Sequence, residues 1–172
     1  MKRTRFDDWP CSVARTVDLL GDWWTPLVLR EAFYGARRFD EFHSRLGIGR
    51  NILTERLKRL VGEEILRKVP YQQRPTRYEY RLSRKGVELI SVILAMMRWG
   101  DDWLAKEGPP VLVVDETTGQ PIRPLVVDEH TGQPIDPRRL AVCPGPGFPA
   151  DQLAEEIAAG RFLQRQPERS SR

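Results

Sequence analysis

The sequence predicts a mainly helical fold with a small β-wing, a winged helix-turn-helix, followed by a small appendage rich in β-hairpins. Three observations carry that prediction: two short amphipathic segments joined by a glycine turn, alternating strands just after them, and a basic charge excess that coincides with both. Between Arg38 and Val61 the chain reads R-F-D-E-F-H-S-R-L-G-I-G-R-N-I-L-T-E-R-L-K-R-L-V. Phe39, Phe42 and Leu46 recur at helical spacing, as do Ile52, Leu53, Leu57, Leu60 and Val61. Gly47-Ile48-Gly49 lies between them, with an isoleucine placed to pin the turn to a core.

The other elements follow in order. Met1 to Trp9 is an arm without periodicity. A first helix opens near Cys11, just after Pro10, and runs to Gly21 with Val13, Val17 and Leu20 as its apolar stripe. Trp24 to Tyr34 makes a second, with Pro26 in its first turn and Gly35 at its close. Leu27, Val28, Ala32 and Phe33 pack inward, which leaves Arg30 and Glu31 to the rim or to an internal ion pair. After the paired helices, Ile65, Arg67, Val69 and Tyr71 alternate against Tyr78, Tyr80 and Leu82, the pattern of two antiparallel strands around a Q-Q-R-P-T loop. Ser83 then caps one long helix that ends near Gly108 and Pro109 and extends about 36 Å at 1.5 Å per residue. Its apolar face, Val87, Ile90, Ile93, Leu94, Met97, Trp103 and Leu104, exceeds what one small winged domain covers, which predicts a partner helix from a second copy.

Beyond Pro110 the composition changes. V-V-D-E-T-T-G-Q-P-I-R-P at Val113 to Pro124 is repeated as V-V-D-E-H-T-G-Q-P-I-D-P at Val126 to Pro137, the pattern of two small tandem hairpins with proline on edge strands. C-P-G-P-G-F-P is a linker, Ala150 to Ala159 a short acidic amphipathic helix, and Gln164 to Arg172 is expected to be disordered. The expected domains are a DNA-binding and dimerisation domain over 1–108, the repeat appendage over 109–148, and a helix with its tail over 149–172.

The net charge of +4 conceals an uneven distribution: Arg37 to Lys85 holds 14 Lys and Arg against 6 Asp and Glu. A basic segment over the paired helices is the footprint of a phosphate-binding surface, so double-stranded DNA is the expected partner. No apolar run approaches the roughly 18 residues that span a bilayer, and M-K-R-T-R-F-D-D is not a signal peptide, so the expectation is a cytoplasmic protein with no membrane partner. Cys11 and Cys143, far apart in sequence, with His43 and His130 make neither a disulfide framework nor a metal site, and Cys11 reads as a thiol without a nearby second. No cofactor motif, paired carboxylates or nucleophile with its base is present, so the chain does not read as an enzyme.

On a helical wheel Leu53, Leu57 and Leu60 share one side of the second paired helix, with Asn51, Thr54, Glu55 and Lys58 on or near the other. That division suits a helix reading the major groove, where Asn pairs with adenine and Glu accepts from cytosine. Arg50 stands at the helix start, and Arg37, Arg38, Arg74 and Arg77 are the remaining candidates for phosphate or minor-groove contacts. A solvated face on an ordinary helical hairpin is the alternative, and a protein-interaction adaptor that uses the winged domain as a dimerisation scaffold is the alternative function. A small aromatic or apolar effector is a candidate ligand for Trp23, Trp24, Met96, Met97, Trp99 and Trp103, residue types that also make dimer cores.

C-S-V-A-R-T-V-D-L-L-G-D-W-W-T-P-L-V-L-R-E-A-F-Y-G-A-R-R-F-D-E-F, N-I-L-T-E-R-L-K-R-L and Y-E-Y-R-L-S-R-K-G together resemble the HxlR family of bacterial transcriptional regulators, over about Cys11 to Trp103. The resemblance implies a homodimer on pseudo-palindromic operators, joined through its terminal helices, with Val13, Val17, Ile90, Leu94, Met97 and Trp103 at the interface. It also implies a regulator, expected to be a repressor, that is switched by an effector. Cys11 matches a cysteine through which some members sense oxidants or electrophiles, and a helix N-terminus near Arg15 is a setting that favours a reactive thiol. Two residues depart from the pattern: Gly49 replaces the usual Ser or Thr at the start of the recognition helix, and Trp23 a frequent Lys.

Overall fold

The computed structural model describes Arg5 to Gly160. Helix α1 spans Ser12–Leu20, α2 Thr25–Phe33, α3 Phe39–Leu46 and α4 Arg50–Gly62. Strands β1, Leu66–Gln73, and β2, Thr76–Leu82, form the antiparallel wing, and α5, Arg84–Glu88, α6, Ile90–Trp103, and α7, Ala150–Ala158, follow. The chain forms two compact units: one runs from Leu19 to Val126, and the other combines residues up to Asp18 with those from Val127 onward.

The first unit is built on a single core. Val28, Leu29 and Ala32 of α2, Phe42 of α3, Ile48 of the turn, Leu53, Leu57 and Leu60 of α4, and Ile65 and Leu66 at the wing are all essentially inaccessible. This matches the apolar periodicity of both paired helices except at Ile52, which is 44% exposed, and Leu29 is the position on α2 that the inward set omitted. Glu31 is buried beside that core, where Arg30 approaches it at 2.7 Å and Arg45 at 3.6 Å, an internal ion pair rather than a rim charge. Gly47 ends α3 at φ +61°, a conformation that a residue without Cβ adopts without steric cost.

The wing pairs from Leu66 opposite Leu82 to Gln73 opposite Thr76. The connecting loop is therefore shorter than Q-Q-R-P-T, because both glutamines belong to the ladder and only Arg74 and Pro75 turn. Register slips between Pro70 and Gln72, where proline has no N–H to donate.

The long helix expected after Ser83 is divided. Leu89 separates α5 from α6 in a tight turn whose N–H donates three residues back to the Gly86 carbonyl. Contacts with the end of α4 and the start of the wing hold α5 in place. Ser83 Oγ accepts the Gly86 N–H at 3.0 Å and donates to the Glu64 carbonyl at 2.6 Å, while Lys85 Nζ donates to the Glu63 carbonyl at 2.8 Å. These bonds hold α5 against the end of α4, and a Cβ on Gly86 would lie 2.3 Å from the Ile65 carbonyl oxygen. With α5 pinned there, the turn at Leu89 leads into α6, which contacts α2.

Each repeat copy folds as a turn closed by its own aspartate. Asp115 accepts the N–H groups of Thr117 and Thr118 at 3.0 and 2.7 Å, and Asp128 those of His130 and Thr131 at 3.1 and 2.8 Å. Gly119 and Gly132 follow at φ +69° and +66°. The expected hairpins reduce to one bridge each, Val114 with Pro121 and Val127 with Pro134, since proline cannot extend the ladder. Within the first unit, Arg123 of the first copy pairs with Asp102 of α6 at 3.0 Å and Arg98 donates to the Pro124 carbonyl. The second copy has Asp136 where the first has Arg123, and it pairs locally with Arg138. In the unit that contains both chain ends, the Phe6 N–H donates to the buried Asp18 at 3.4 Å and the Phe6 ring meets Trp9 edge to face. Gln164 to Arg172 lies outside the described residues.

Candidate nucleic-acid interface

The buried stripe of Leu53, Leu57 and Leu60 fixes the rotation of α4, and with it the side presented to solvent. Asn51, Thr54, Glu55 and Lys58 are all exposed there. The Thr54 hydroxyl donates to the Arg50 carbonyl at 2.8 Å. Gly49 starts the helix with no side-chain cap, as expected of a glycine at that position. Arg50 is held at its base: its guanidinium lies 4.8 Å above the Phe39 ring and Nη1 is 3.3 Å from Asp40.

The other arginines divide by position. Arg38 is exposed at the start of α3, with its guanidinium 4.5 Å from the centre of the Tyr71 ring and its backbone bridged to Glu79. Arg74 and Arg77 are exposed at and beside the wing tip. Arg37 is half-buried, and its Nη1 donates to the carbonyls of Ala32 and Ala36 at 2.8 and 3.2 Å, at and beyond the C-terminal end of α2. The Ala32 carbonyl also accepts the Gly35 N–H at 3.2 Å, so the guanidinium adds a second donor at the end of α2, where a cation is favoured by the helix dipole.

Between the start of α3 and the wing lies an open groove of 850 Å³, lined by Arg38, Asp40, Lys68, Tyr71, Arg77 and Tyr78. Lys68 Nζ stands 4.2 Å from the Tyr78 ring centre. Lys68, Tyr71 and Tyr78 are absent from the sequence-derived site; basic and aromatic residues at exposed positions on both strands were the available signal. Two structural carboxylates were also missed. Asp22 accepts the N–H groups of Trp24 and Thr25 at 2.9 Å each and lies 3.1 Å from Arg56 Nε, so it joins the start of α2 to the middle of α4.

Glu41 is the second. Its Oε2 accepts the N–H groups of Arg37 and Arg38 at 2.7 and 2.9 Å, and these backbone donors hold its carboxyl below the usual glutamate range. Because the folded-state pKa is depressed, the stabilisation is complete above the unfolded-state value and disappears as pH falls through the folded-state value. Urea unfolding of Glu41→Gln against the parent chain is therefore expected to show a deficit at neutral pH that closes as the solution is acidified below the ordinary glutamate pKa. A deficit of constant size across that window would show that the charge contributes nothing.

The residues expected at a dimer interface are distributed over both units. Val13 is 71% exposed and Trp103 74% exposed, Val17 and Ile90 are also exposed, and Leu94 and Met97 are half-buried. Met97 lines a small cavity with Val111, Leu112 and Ile122 of the chain itself. The expected aromatic effector set is not gathered: Trp24 packs on the core while Trp23 is 90% exposed. Cys11 is exposed, its Sγ accepts the Ala14 N–H at 3.4 Å, and Arg15 Nε is engaged by the Trp9 carbonyl at 2.8 Å.

The model of the HxlR-like helix-turn-helix family matches residues 19–108, the paired helices, wing and α6 just described. The chain belongs to the HxlR-like helix-turn-helix family. An uncharacterized HTH-type transcriptional regulator of Mycobacterium tuberculosis is 43% identical to this HxlR-like chain over 140 residues, 81% of this chain and 89% of the relative. That match is too long to end at Gly108 and continues into the segment that carries the repeat. A second relative, from Synechocystis, is 40% identical over 98 residues, 56% of this chain and 73% of its own length. Among solved structures, the candidate transcription factor PA1607 superposes with TM-score 0.73 at 36% identity, covering 80% of this chain and 97% of that one. The reduced form of the redox regulator HypR gives TM-score 0.50 at 30% identity over 54% of this chain and 92% of its own. Among the described residues of this HxlR-like protein no helix is long and apolar enough to cross a membrane.

Proposed function

We propose that the chain is a cytoplasmic, sequence-specific DNA-binding repressor that acts as a homodimer on a pseudo-palindromic operator. The observation that supports this reading is the division of α4, with three leucines inaccessible on one face and Asn51, Thr54, Glu55 and Lys58 exposed on the other. A helix held by one face and bearing short polar side chains on the other meets the steric and hydrogen-bonding requirements of the major groove. Arg38, Arg50, Arg74 and Arg77 flank it as phosphate contacts, and Lys68 joins them through the groove beside the wing. Arg37 is assigned to the end of α2 rather than to DNA. Val13, Val17, Ile90 and Trp103 supply apolar surface for a second copy.

A mobility-shift titration with the region upstream of the chain's own gene tests this. The expected result is a complex with two protomers per fragment that survives unrelated competitor DNA. Asn51→Ala with Thr54→Ala is expected to weaken it by about 1–3 kcal/mol for each base edge no longer read, roughly 5- to 150-fold. Equal binding to own-promoter and unrelated fragments would overturn the reading. The likeness to HypR, a redox regulator solved in reduced and oxidized forms, supports Cys11 as an oxidant-responsive thiol.

A further inference from the structure

Cys11 and Cys143 are 132 positions apart, and both lie outside residues 19–108 that match the family model. The fold brings them to one place. A cavity of 1190 Å³ within the unit made of the two chain ends is lined by Trp9, Pro10, Cys11 and Val13 on one side and by Cys143 and Phe148 on the other. Both are thiols and both are exposed, so an oxidant in solution reaches them. Cys11 opens α1, while Cys143 begins an irregular C-P-G-P-G-F-P segment between a 3-10 turn at Pro137–Arg139 and α7. That segment belongs to no helix or strand, so bringing the two Cα atoms to the roughly 4.4–6.8 Å that a disulfide requires breaks no regular element.

We propose that Cys11 and Cys143 are a dithiol switch: a peroxide joins them in a reversible intrachain disulfide that fastens the C-terminal loop to the start of α1 across their shared cavity. The step balances with hydrogen peroxide as the oxidant. The Cys11 thiolate attacks one peroxide oxygen, the O–O bond breaks, and Cys11 becomes a sulfenic acid as water leaves after proton uptake. The Cys143 sulfur then attacks the Cys11 sulfur, and the S–S bond forms as the S–O bond breaks and a second water departs. Two thiols and one peroxide thus give one disulfide and two waters, and a dithiol reductant reverses the bond. The cavity gives the second thiol a functional consequence. A sulfenic acid with a thiol beside it closes to a disulfide, whereas one without oxidises further to acids that thiols do not reduce.

The inference deepens the oxidant response proposed above and rests on it in taking Cys11 as the thiol attacked first. Its test uses the full chain treated with hydrogen peroxide, quenched, and followed by non-reducing gel, intact mass and peptide mapping, none of which depends on DNA binding. The expected result is monomer mobility, loss of two hydrogens, and a peptide pair joining Cys11 to Cys143 that dithiothreitol separates. In Cys143→Ser and Cys143→Ala the pair is lost, and Cys11 accumulates as sulfinic and sulfonic acid that dithiothreitol does not reverse. Oxidation of Cys11 with Cys143 left alkylatable, or cross-linking between two chains, would overturn the pair and leave the response of Cys11 standing. No change at either cysteine would overturn both readings.

Discussion

Replacing Gly86 with alanine is expected to lower the stability of the winged unit by about 3 kcal/mol or more, the upper range for forcing volume into a closed contact. The new Cβ would lie 2.3 Å from the Ile65 carbonyl oxygen and 3.1 Å from a Leu82 methyl. A backbone oxygen at the entrance to the wing cannot withdraw as a flexible side chain does. To relieve the clash α5 has to separate from the wing, which breaks the Ser83 and Lys85 bonds to the end of α4. In thermal unfolding followed by circular dichroism, about 3 kcal/mol in a unit of this size is a fall in midpoint of roughly 12–24 °C. Gly100 is the control: a Cβ there meets nothing within 4 Å, so Gly100→Ala inside α6 is expected to be neutral or to stabilise by about 0.5–1 kcal/mol. Equal midpoints for the two variants would show that the close approach at Gly86 is not what holds the seam.

The second large effect is on DNA affinity and is read against salt. On the proposed reading, in which Arg38, Arg50, Arg74 and Arg77 of each of two protomers meet phosphates, about eight phosphates are neutralised and the slope of log affinity against log salt is expected near −7. Between 50 and 200 mM salt the affinity is then expected to fall by about four orders of magnitude. Arg74→Ala with Arg77→Ala takes two cations per protomer off the phosphates and is expected to bring the slope to about −3.6, weakening specific and nonspecific DNA alike. Arg37→Ala should leave the slope unchanged and lower the unfolding midpoint instead, because its Nη1 is bonded to the end of α2. A parent slope shallower than about −2 would remove the arginines from the phosphate backbone.

The contrast between Arg37 and Arg38 shows what the residue string can and cannot say. Their neighbours and charge are alike, and both read as phosphate contacts; which guanidinium turns inward depends on where α2 leaves its last carbonyls, a tertiary fact. The paired helices are legible because Phe42, Leu53, Leu57 and Leu60 obey a local period and Gly47 and Ile48 mark the turn between them. Asp22 and Arg56 follow no period. They meet because α2 and α4 share a core, and nothing in either segment announces it. The division at Leu89 is hidden for a similar reason: helical periodicity runs unbroken from Val87 to Leu94, while the contacts that pin α5, at Ile65, Glu63 and Glu64, lie upstream in sequence. The repeat is visible as letters, but its prolines fit an edge strand as well as a stop, and only the fold shows that they limit each copy to one bridge. Cys11 and Cys143 share no local pattern either, and their distance along the chain conceals that they line one cavity.

One unit draws on both ends of the chain, and this has a consequence for synthesis. Residues 19–126 leave the ribosome as a contiguous stretch that holds every partner of its own core. The surface of α1 that bears Val13 has no such provision, since the loop and helix that complete its cavity are translated more than a hundred residues later. At about 5–20 residues per second, the interval between Cys11 and Cys143 is roughly 7–26 s. Throughout that time Trp9 and Val13 wait on the nascent chain while the winged unit has all it needs to fold.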